Sequence, residues 1–134
     1  PDCIVNTEIN SGNFIVDDTV AHLVDWQKAV VSHRYQDLAH FLIPTTTLWK
    51  TDFRYDRSSR RRFLEAYRGA LDFDIPLDEL SERTDRMERV ILLRALSWCY
   101  MAYHEYTQTS RRLTNEHTFS RIRRYLDEIQ WFLR

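Results

Sequence analysis

Two glycines and three prolines among 134 residues are too few for an all-β chain, which needs a tight turn roughly every ten residues, so the composition favours helices. Two cysteines, Cys3 and Cys99, stand far apart without metal-ligand spacing. That excludes a disulfide framework and a zinc site, and it suits reduced thiols in a cytoplasmic protein. Lysine is almost missing: of 19 basic residues only Lys28 and Lys50 are lysines, and the rest are arginines, whose planar guanidinium suits bidentate carboxylate or phosphate pairing. No sign of charge dominates, the net being −1 with a pI near 6.6, so no global field draws the chain to nucleic acid or to an anionic membrane. No apolar run approaches the roughly 18 residues of a membrane span, and no signal peptide opens the chain. A soluble cytoplasmic protein with neither nucleic-acid nor membrane partners is expected. Pro1 stands where a methionine would begin a chain, and the apolar Cys3-Ile4-Val5 follows directly, an opening that suggests entry into the middle of a fold.

What is present is an ordinary globular composition, 43% hydrophobic and 29% charged, which excludes a disordered chain. A folded chain of this length hides about two-thirds of its extended surface, enough for one domain over residues 1–134. Phe14-Ile15-Val16, the turn-forming Asp17-Asp18 and the β-branched stretch from Thr19 to Val24 predict a short hairpin. From about Arg34 the period changes, and Tyr35, Leu38, Ala39 and Leu42 predict a helix that Pro44 stops. A loop is expected from Thr45 to Asp56. Ser58 or Ser59 is placed to cap the next helix, with Phe63, Leu64, Tyr67 and Leu71 as its apolar stripe and Gly69 weakening its end. Pro76 falls in the first turn of a long helix, where Asp78 and Glu79 complement the dipole. Its stripe runs Leu80, Thr84, Met87, Ile91, Ala95, Trp98 and Ala102, with a break expected near Thr84. Asn115 or Thr114 caps a last helix carrying Phe119, Ile122, Leu126, Ile129 and Leu133. The expected fold is α+β and predominantly α: one short β-hairpin followed by about four helices.

Chemistry concentrates in Asn6-Thr7-Glu8-Ile9-Asn10-Ser11-Gly12-Asn13, followed twelve positions after Asn13 by Asp25 in Leu23-Val24-Asp25-Trp26. A polar loop before one strand and an acid after its partner converge at one end of a hairpin, where carboxylate and amide oxygens suit Mg²⁺. Read as residues alone, Glu8, Asn13 and Asp25 are turn and cap residues around a hairpin before they are a metal site.

The segment resembles the catalytic loop of the aminoglycoside phosphotransferase and choline kinase group, within the protein-kinase-like fold. That family's loop runs His-x-Asp-x-x-x-x-Asn, then a strand, then Asp-Trp or Asp-Phe. This sequence has Asn6-x-Glu8-x-x-x-x-Asn13 and Asp25-Trp26. Tyr35-Gln36-Asp37-Leu38-Ala39 is similar to the family's Asp-Leu-Ala helix start, and Phe63-Leu64-Glu65-Ala66-Tyr67 extends the likeness, which is strong through about residue 70 and a helical pattern beyond. The resemblance implies a kinase-like C-terminal lobe, with catalytic loop and hairpin in 1–33 and a helical subdomain in 34–134. It also implies an ATP- and Mg²⁺-dependent phosphotransferase acting on a hydroxyl of a small molecule, such as an aminoglycoside, choline, a sugar or an amino-acid-like alcohol. Glu8 takes the position of the carboxylate that orients the acceptor hydroxyl and accepts its proton, Asn13 and Asp25 those of the Mg²⁺ ligands. Asn6 and Asp37 stand behind them, Asp37 accepting backbone N–H bonds from the loop. The usual loop Asp is here Glu8, one methylene longer, which moves the carboxylate by roughly an ångström. The usual His is Asn6.

A Gly-rich loop and a lysine that grip the nucleotide belong, in such enzymes, to an N-terminal lobe upstream of Pro1, so the chain alone is not expected to be a competent kinase. The alternative is a non-catalytic, pseudokinase-type nucleotide-binding or protein-interaction module, which a homodimer through exposed apolar surface would also suit. His33, Trp49 and Tyr55 are candidate acceptor-site residues, since loops between the helices of this lobe shape substrate sites in the resembled family. The remaining features read as structure: Arg57 and Arg60-Arg61-Arg62 as a solvated face, and Trp98, Tyr100, Met101 and Tyr103 as an aromatic core cluster. His22, His40, His104 and His117 show no metal pairing.

Overall fold

The computed structural model describes residues 2–108 and 115–132, and the chain divides into two compact units, Pro1–Ile91 and Leu92–Arg134. Among the described residues no helix is long and apolar enough to cross a membrane. The fold is predominantly helical α+β, as the composition predicted.

The first unit opens with two small antiparallel ladders. Strand β1 (Asp2–Val5) pairs with β4 (Val30–His33) in the register Asp2↔His33 to Val5↔Val30, and β2 (Phe14–Val16) pairs with β3 (Ala21–Leu23) as the expected hairpin. The hairpin turn is fixed by Asp17, whose Oδ1 accepts bonds from the backbone N–H of Thr19 and Val20, both at 2.8 Å. Those bonds hold its carboxyl below the usual range. The sequence predicts the hairpin, and the strand-like Cys3-Ile4-Val5 lies in β1, but nothing in the sequence marks a partner for that strand. Strand β4 exists because β1 pairs with it, and the hairpin forms a separate two-stranded sheet from the segment that joins them.

Helix α1 (Tyr35–Leu42) buries Leu38, Ala39 and Leu42 and ends at Ile43, which the following proline holds extended at φ −66°, ψ 144°. Pro44 does not lead into a loop, however. It occupies the first turn of α2 (Pro44–Lys50), where its missing N–H costs nothing. Three consecutive threonines are poor helix formers, and the complete burial of Leu48 outweighs them. The loop is therefore shorter than expected, running from Thr51 to Asp56.

Helix α3 (Arg57–Gly69) is capped by Asp56, not by Ser58 or Ser59. Asp56 Oδ1 accepts from the Ser59 N–H at 2.7 Å, while Ser59 Oγ accepts from the Asp56 N–H at 2.9 Å, a reciprocal box. Leu64 faces a core with Leu38, Leu42, Ile75 and Leu80, and Ala39, Ile43 and Ile91 form a second cluster. Of the arginine run, Arg61 and Arg62 are exposed as expected. Arg60 turns inward to Glu88 (2.9 Å), Asp85 and Ser81. Burial pushes the Glu88 carboxyl up, and Arg60 opposes that shift.

Helix α4 (Leu77–Gln108) starts just after Pro76 and runs without the expected break. Buried Thr84 donates its hydroxyl to the Leu80 carbonyl at 2.7 Å, inside an intact helix.

The second unit comprises the end of α4 with α5 (Glu116–Asp127) and α6 (Ile129–Phe132). Asn115 caps α5 through the Thr118 N–H at 3.0 Å. The expected single last helix is interrupted at Glu128, and Leu133 lies outside the described residues. Leu92, Leu96, Cys99, Ala102, Ile122, Tyr125 and Phe132 are buried, and burial pushes the Cys99 thiol up to about 11. Trp98, Tyr100 and Met101 are not core residues: each is about half exposed or more, and Tyr103 stacks on Phe119 at the margin, centroids 5.8 Å apart. Helical spacing locates a stripe without saying which stripe is covered.

Candidate functional site

The 6–13 loop leaves β1 at Val5 and is held from three sides. From behind, helix α1 presents Asp37 and His40 three positions apart, on one helical face. Asp37 accepts the backbone N–H of Asn6 at 2.6 Å (Oδ2) and of Thr7 at 2.9 Å (Oδ1), so both carboxylate oxygens are engaged. His40 Nδ1 lies 3.0 Å from the Ile9 carbonyl; a carbonyl only accepts, so that nitrogen carries the proton.

From the side, Asn6, fully buried, donates its amide to the carbonyls of Asp25 (2.8 Å) and Val24 (3.4 Å) and accepts the Glu8 N–H at 3.2 Å. Asn6 thereby joins the loop to the segment after β3. Thr7 adds a second fastening, its hydroxyl donating to the Lys28 carbonyl at 3.1 Å. From within, the Glu8 carbonyl accepts amide N–H bonds from Asn10 at 2.9 Å and from Asn13 at 3.3 Å, while Asn10 Oδ1 caps the short 3-10 turn Ser11–Asn13 through Gly12 N–H. The Asn13 carbonyl accepts the Val24 N–H at 2.9 Å, so Asn13 sits across from the residue that precedes Asp25.

The structure thus brings Asn6, Glu8, Asn13, Asp25 and Asp37 into one hydrogen-bonded neighbourhood. Two of its backbones are strained: Thr7 has φ 70° and Asp25 has φ 65°, the left-handed region that non-glycine residues occupy at a cost of about 1–2 kcal/mol each. These are the two non-glycine residues with positive φ among the described residues, and they flank the place where the loop meets the post-hairpin segment.

Glu8 pairs with Lys28 at 2.7 Å, on side chains 41% and 61% exposed. Among the described residues nothing bonds the exposed Asp25 carboxylate. Asn13 uses its amide N–H on Glu8, which leaves the amide oxygen as a donor atom for a ligand. A carboxylate and an amide oxygen are hard donors of the kind Mg²⁺ takes, and Mg²⁺ commonly keeps one or two protein ligands and completes its shell with phosphate oxygens and water. The residues fit that ion. Among the described residues no group of three His, Cys, Asp or Glu could hold a metal unaided.

The three candidate acceptor residues are scattered. His33 lies at the end of β4 opposite Asp2, away from the loop, and lines a cleft of ≈ 290 Å³ with Arg34, Phe73 and Arg83. Trp49 is half-buried on α2. Tyr55 is packed in a row of rings, Phe14, Phe41, Phe63, Tyr55 and Phe53, with successive centroids 5.9, 5.4, 5.9 and 4.9 Å apart. A second cavity, also ≈ 290 Å³, lies between the loop and the helices, walled by Val5, Ile9, Phe14, Leu38 and Phe41.

Sequence reasoning missed Thr7, Lys28 and His40. Lys28 carried a signal, being one of two lysines and three positions beyond Asp25. Thr7 and His40 carried none, because their roles are to meet backbone atoms that only the fold brings near.

A model of the phosphotransferase enzyme family matches residues 1–83, the stretch that contains every residue of this neighbourhood, in agreement with the resemblance drawn from the loop and the Asp-Trp pair. No curated protein and no solved structure matches the chain.

Proposed function

Because the chain belongs to the phosphotransferase enzyme family, we propose that the intact protein transfers the γ-phosphoryl group of ATP to a hydroxyl of a small molecule, with Mg²⁺. The observation that carries this reading is the pairing of an unbonded Asp25 carboxylate with a loop immobilised by Asp37 and Asn6. Phosphoryl transfer demands mainly positioning and charge neutralisation, and a rigid loop provides the first.

In this reading Glu8 receives the acceptor O–H as a hydrogen-bond donor. As the acceptor oxygen forms its bond to the γ-phosphorus, the bond from that phosphorus to the bridging oxygen breaks, ADP leaves, and the acceptor proton passes to the Glu8 carboxylate. Asp25 and the Asn13 amide oxygen would hold Mg²⁺, which neutralises phosphate charge when bound. Asn6 and Asp37 keep the loop in shape, and of the three scattered acceptor candidates Tyr55, in the ring row that begins at Phe14, is the one an acceptor wall would draw on. Residues 1–33 would be the catalytic segment and 34–134 the helical part.

Family membership also implies an N-terminal lobe carrying the nucleotide-gripping lysine. The apolar surface of the two ladders supports such a partner: Ile4, Ile15, Val16 and Val31 are 61–72% exposed, more than isolated surface residues explain.

The test is ATP consumption by the full-length protein with Mg²⁺ over a panel of hydroxyl compounds, beside Asp25→Ala. Acceptor-dependent turnover that falls at least 100-fold in the variant is the expected result. ATP binding without turnover over a broad panel overturns the transfer reading, and absence of ATP binding overturns the metal site as well.

A further inference from the structure

We infer that Lys28 is a positioning residue of this site, holding the Glu8 carboxylate where the acceptor hydroxyl must meet it. The inference rests on the phosphotransferase reading above and assigns a residue to it.

Glu8 has one more rotatable bond than aspartate, and a base that swings through several rotamers is seldom in the orientation that transfer needs. The backbone of Glu8 is already fixed, its N–H by Asn6 at 3.2 Å and its carbonyl by Asn10 and Asn13. What remains free is the side chain, and Lys28 Nζ takes it at 2.7 Å.

Lys28 is itself anchored. Its carbonyl accepts the Thr7 hydroxyl at 3.1 Å, the Asp25 carbonyl three residues earlier accepts the Asn6 amide at 2.8 Å, and a turn closes between them with Ala29 N–H on the Trp26 carbonyl at 3.0 Å. Thr7, next to Glu8, and Asp25, three residues before Lys28, are the two residues with left-handed backbones among the described residues. A surface ion pair between mobile chains needs none of this. Here both backbones are tied to each other before the side chains meet.

The choice of lysine fits the task in a chain that otherwise uses arginine. An ammonium is a compact charge with three rotatable N–H donors, so it can keep one on Glu8 while the carboxylate's second oxygen stays open to the acceptor. A guanidinium would tend to take both carboxylate oxygens.

The experiment is steady-state kinetics of the full-length protein with Lys28→Ala, Lys28→Arg, Glu8→Ala and the Glu8→Ala/Lys28→Ala double variant, using the acceptor found in the panel. Lys28→Ala should lower kcat at least tenfold while KM for ATP changes less than about twofold, and its thermal midpoint should match the wild type. Lys28→Arg should recover part of the loss. In the Glu8→Ala background, removing Lys28 should change kcat by less than about twofold, because a residue that acts through Glu8 has nothing left to act on. A Lys28→Ala enzyme with wild-type or higher kcat overturns the role while leaving the phosphotransferase reading intact, and so does a full tenfold loss in the Glu8→Ala background. A wild-type protein without turnover overturns the reading and this role with it.

Discussion

The unit Pro1–Ile91 adds to its buried core a set of polar side chains that reach across the sequence, and the unit Leu92–Arg134 shows an apolar core with local polar pairs. In the first, Asn6, Thr7, Asp37 and His40 make hydrogen bonds spanning 18 to 31 residues. In the second, among the described residues, the Asn115 cap on Thr118 and the Arg124–Glu128 pair are local, and Tyr125, Ile122 and Cys99 are buried. Burial tolerates many sequences of similar size and pattern. A hydrogen bond to a given backbone atom does not, since a missing acceptor leaves a donor unsatisfied. The family match over residues 1–83 falls on the segment with the polar cross-links.

The contrast is strongest under truncation of its largest buried ring. Tyr125 is 1% exposed and meets Phe132 edge to face, so Tyr125→Ala should cost about 3–5 kcal/mol in denaturant unfolding. A loss below about 1 kcal/mol would mean that burial does not govern the second unit.

Asp37→Ala should cost about 3 kcal/mol by leaving two backbone N–H donors without their acceptor, and hydrogen exchange at the Asn6 and Thr7 amides should accelerate. Asp37→Asn should lose less, because its one amide oxygen still accepts. Unchanged protection at both amides would refute the clamp.

Asp25→Gly sharpens the comparison from the other side. Glycine accepts φ 65° without the penalty, so the variant should gain roughly 0.5–1 kcal/mol of stability while losing the proposed transfer activity. A destabilised Asp25→Gly protein would show that the carboxylate has a structural partner after all.

Much of this was legible in the chain. The hairpin followed from its β-branched strands and the Asp17-Asp18 turn, and the family match covers the loop and the Asp-Trp pair on which the resemblance was drawn. Other elements were hidden for reasons that can be named. Val30 to His33 is short and ends in polar residues, and it becomes a strand by pairing with β1, whose nearest partner lies 25 residues away. Pro44 argued for a stop followed by a loop, whereas it opens α2, which the buried Leu48 holds in place. Trp98 and Tyr100 looked like core because aromatic side chains usually are, yet a single helix offers several faces and only packing selects among them. Lys28 stood out as one of two lysines, but its pairing was hidden because the Glu8 carboxylate lies 20 residues away in the sequence.

The clamp that Asp37 places on the loop also sets an order of events during synthesis. The backbone it grips lies 30 and 31 residues upstream. At the usual pace of translation those residues leave the ribosome roughly 2–6 s before their acceptor does. Through that interval the N–H groups of Asn6 and Thr7 lack their carboxylate acceptor, and the loop has only its internal bonds and its ties to Val24, Asp25 and Lys28. Its final geometry is therefore written when α1 forms, and a substitution that slows that helix delays the site without touching it.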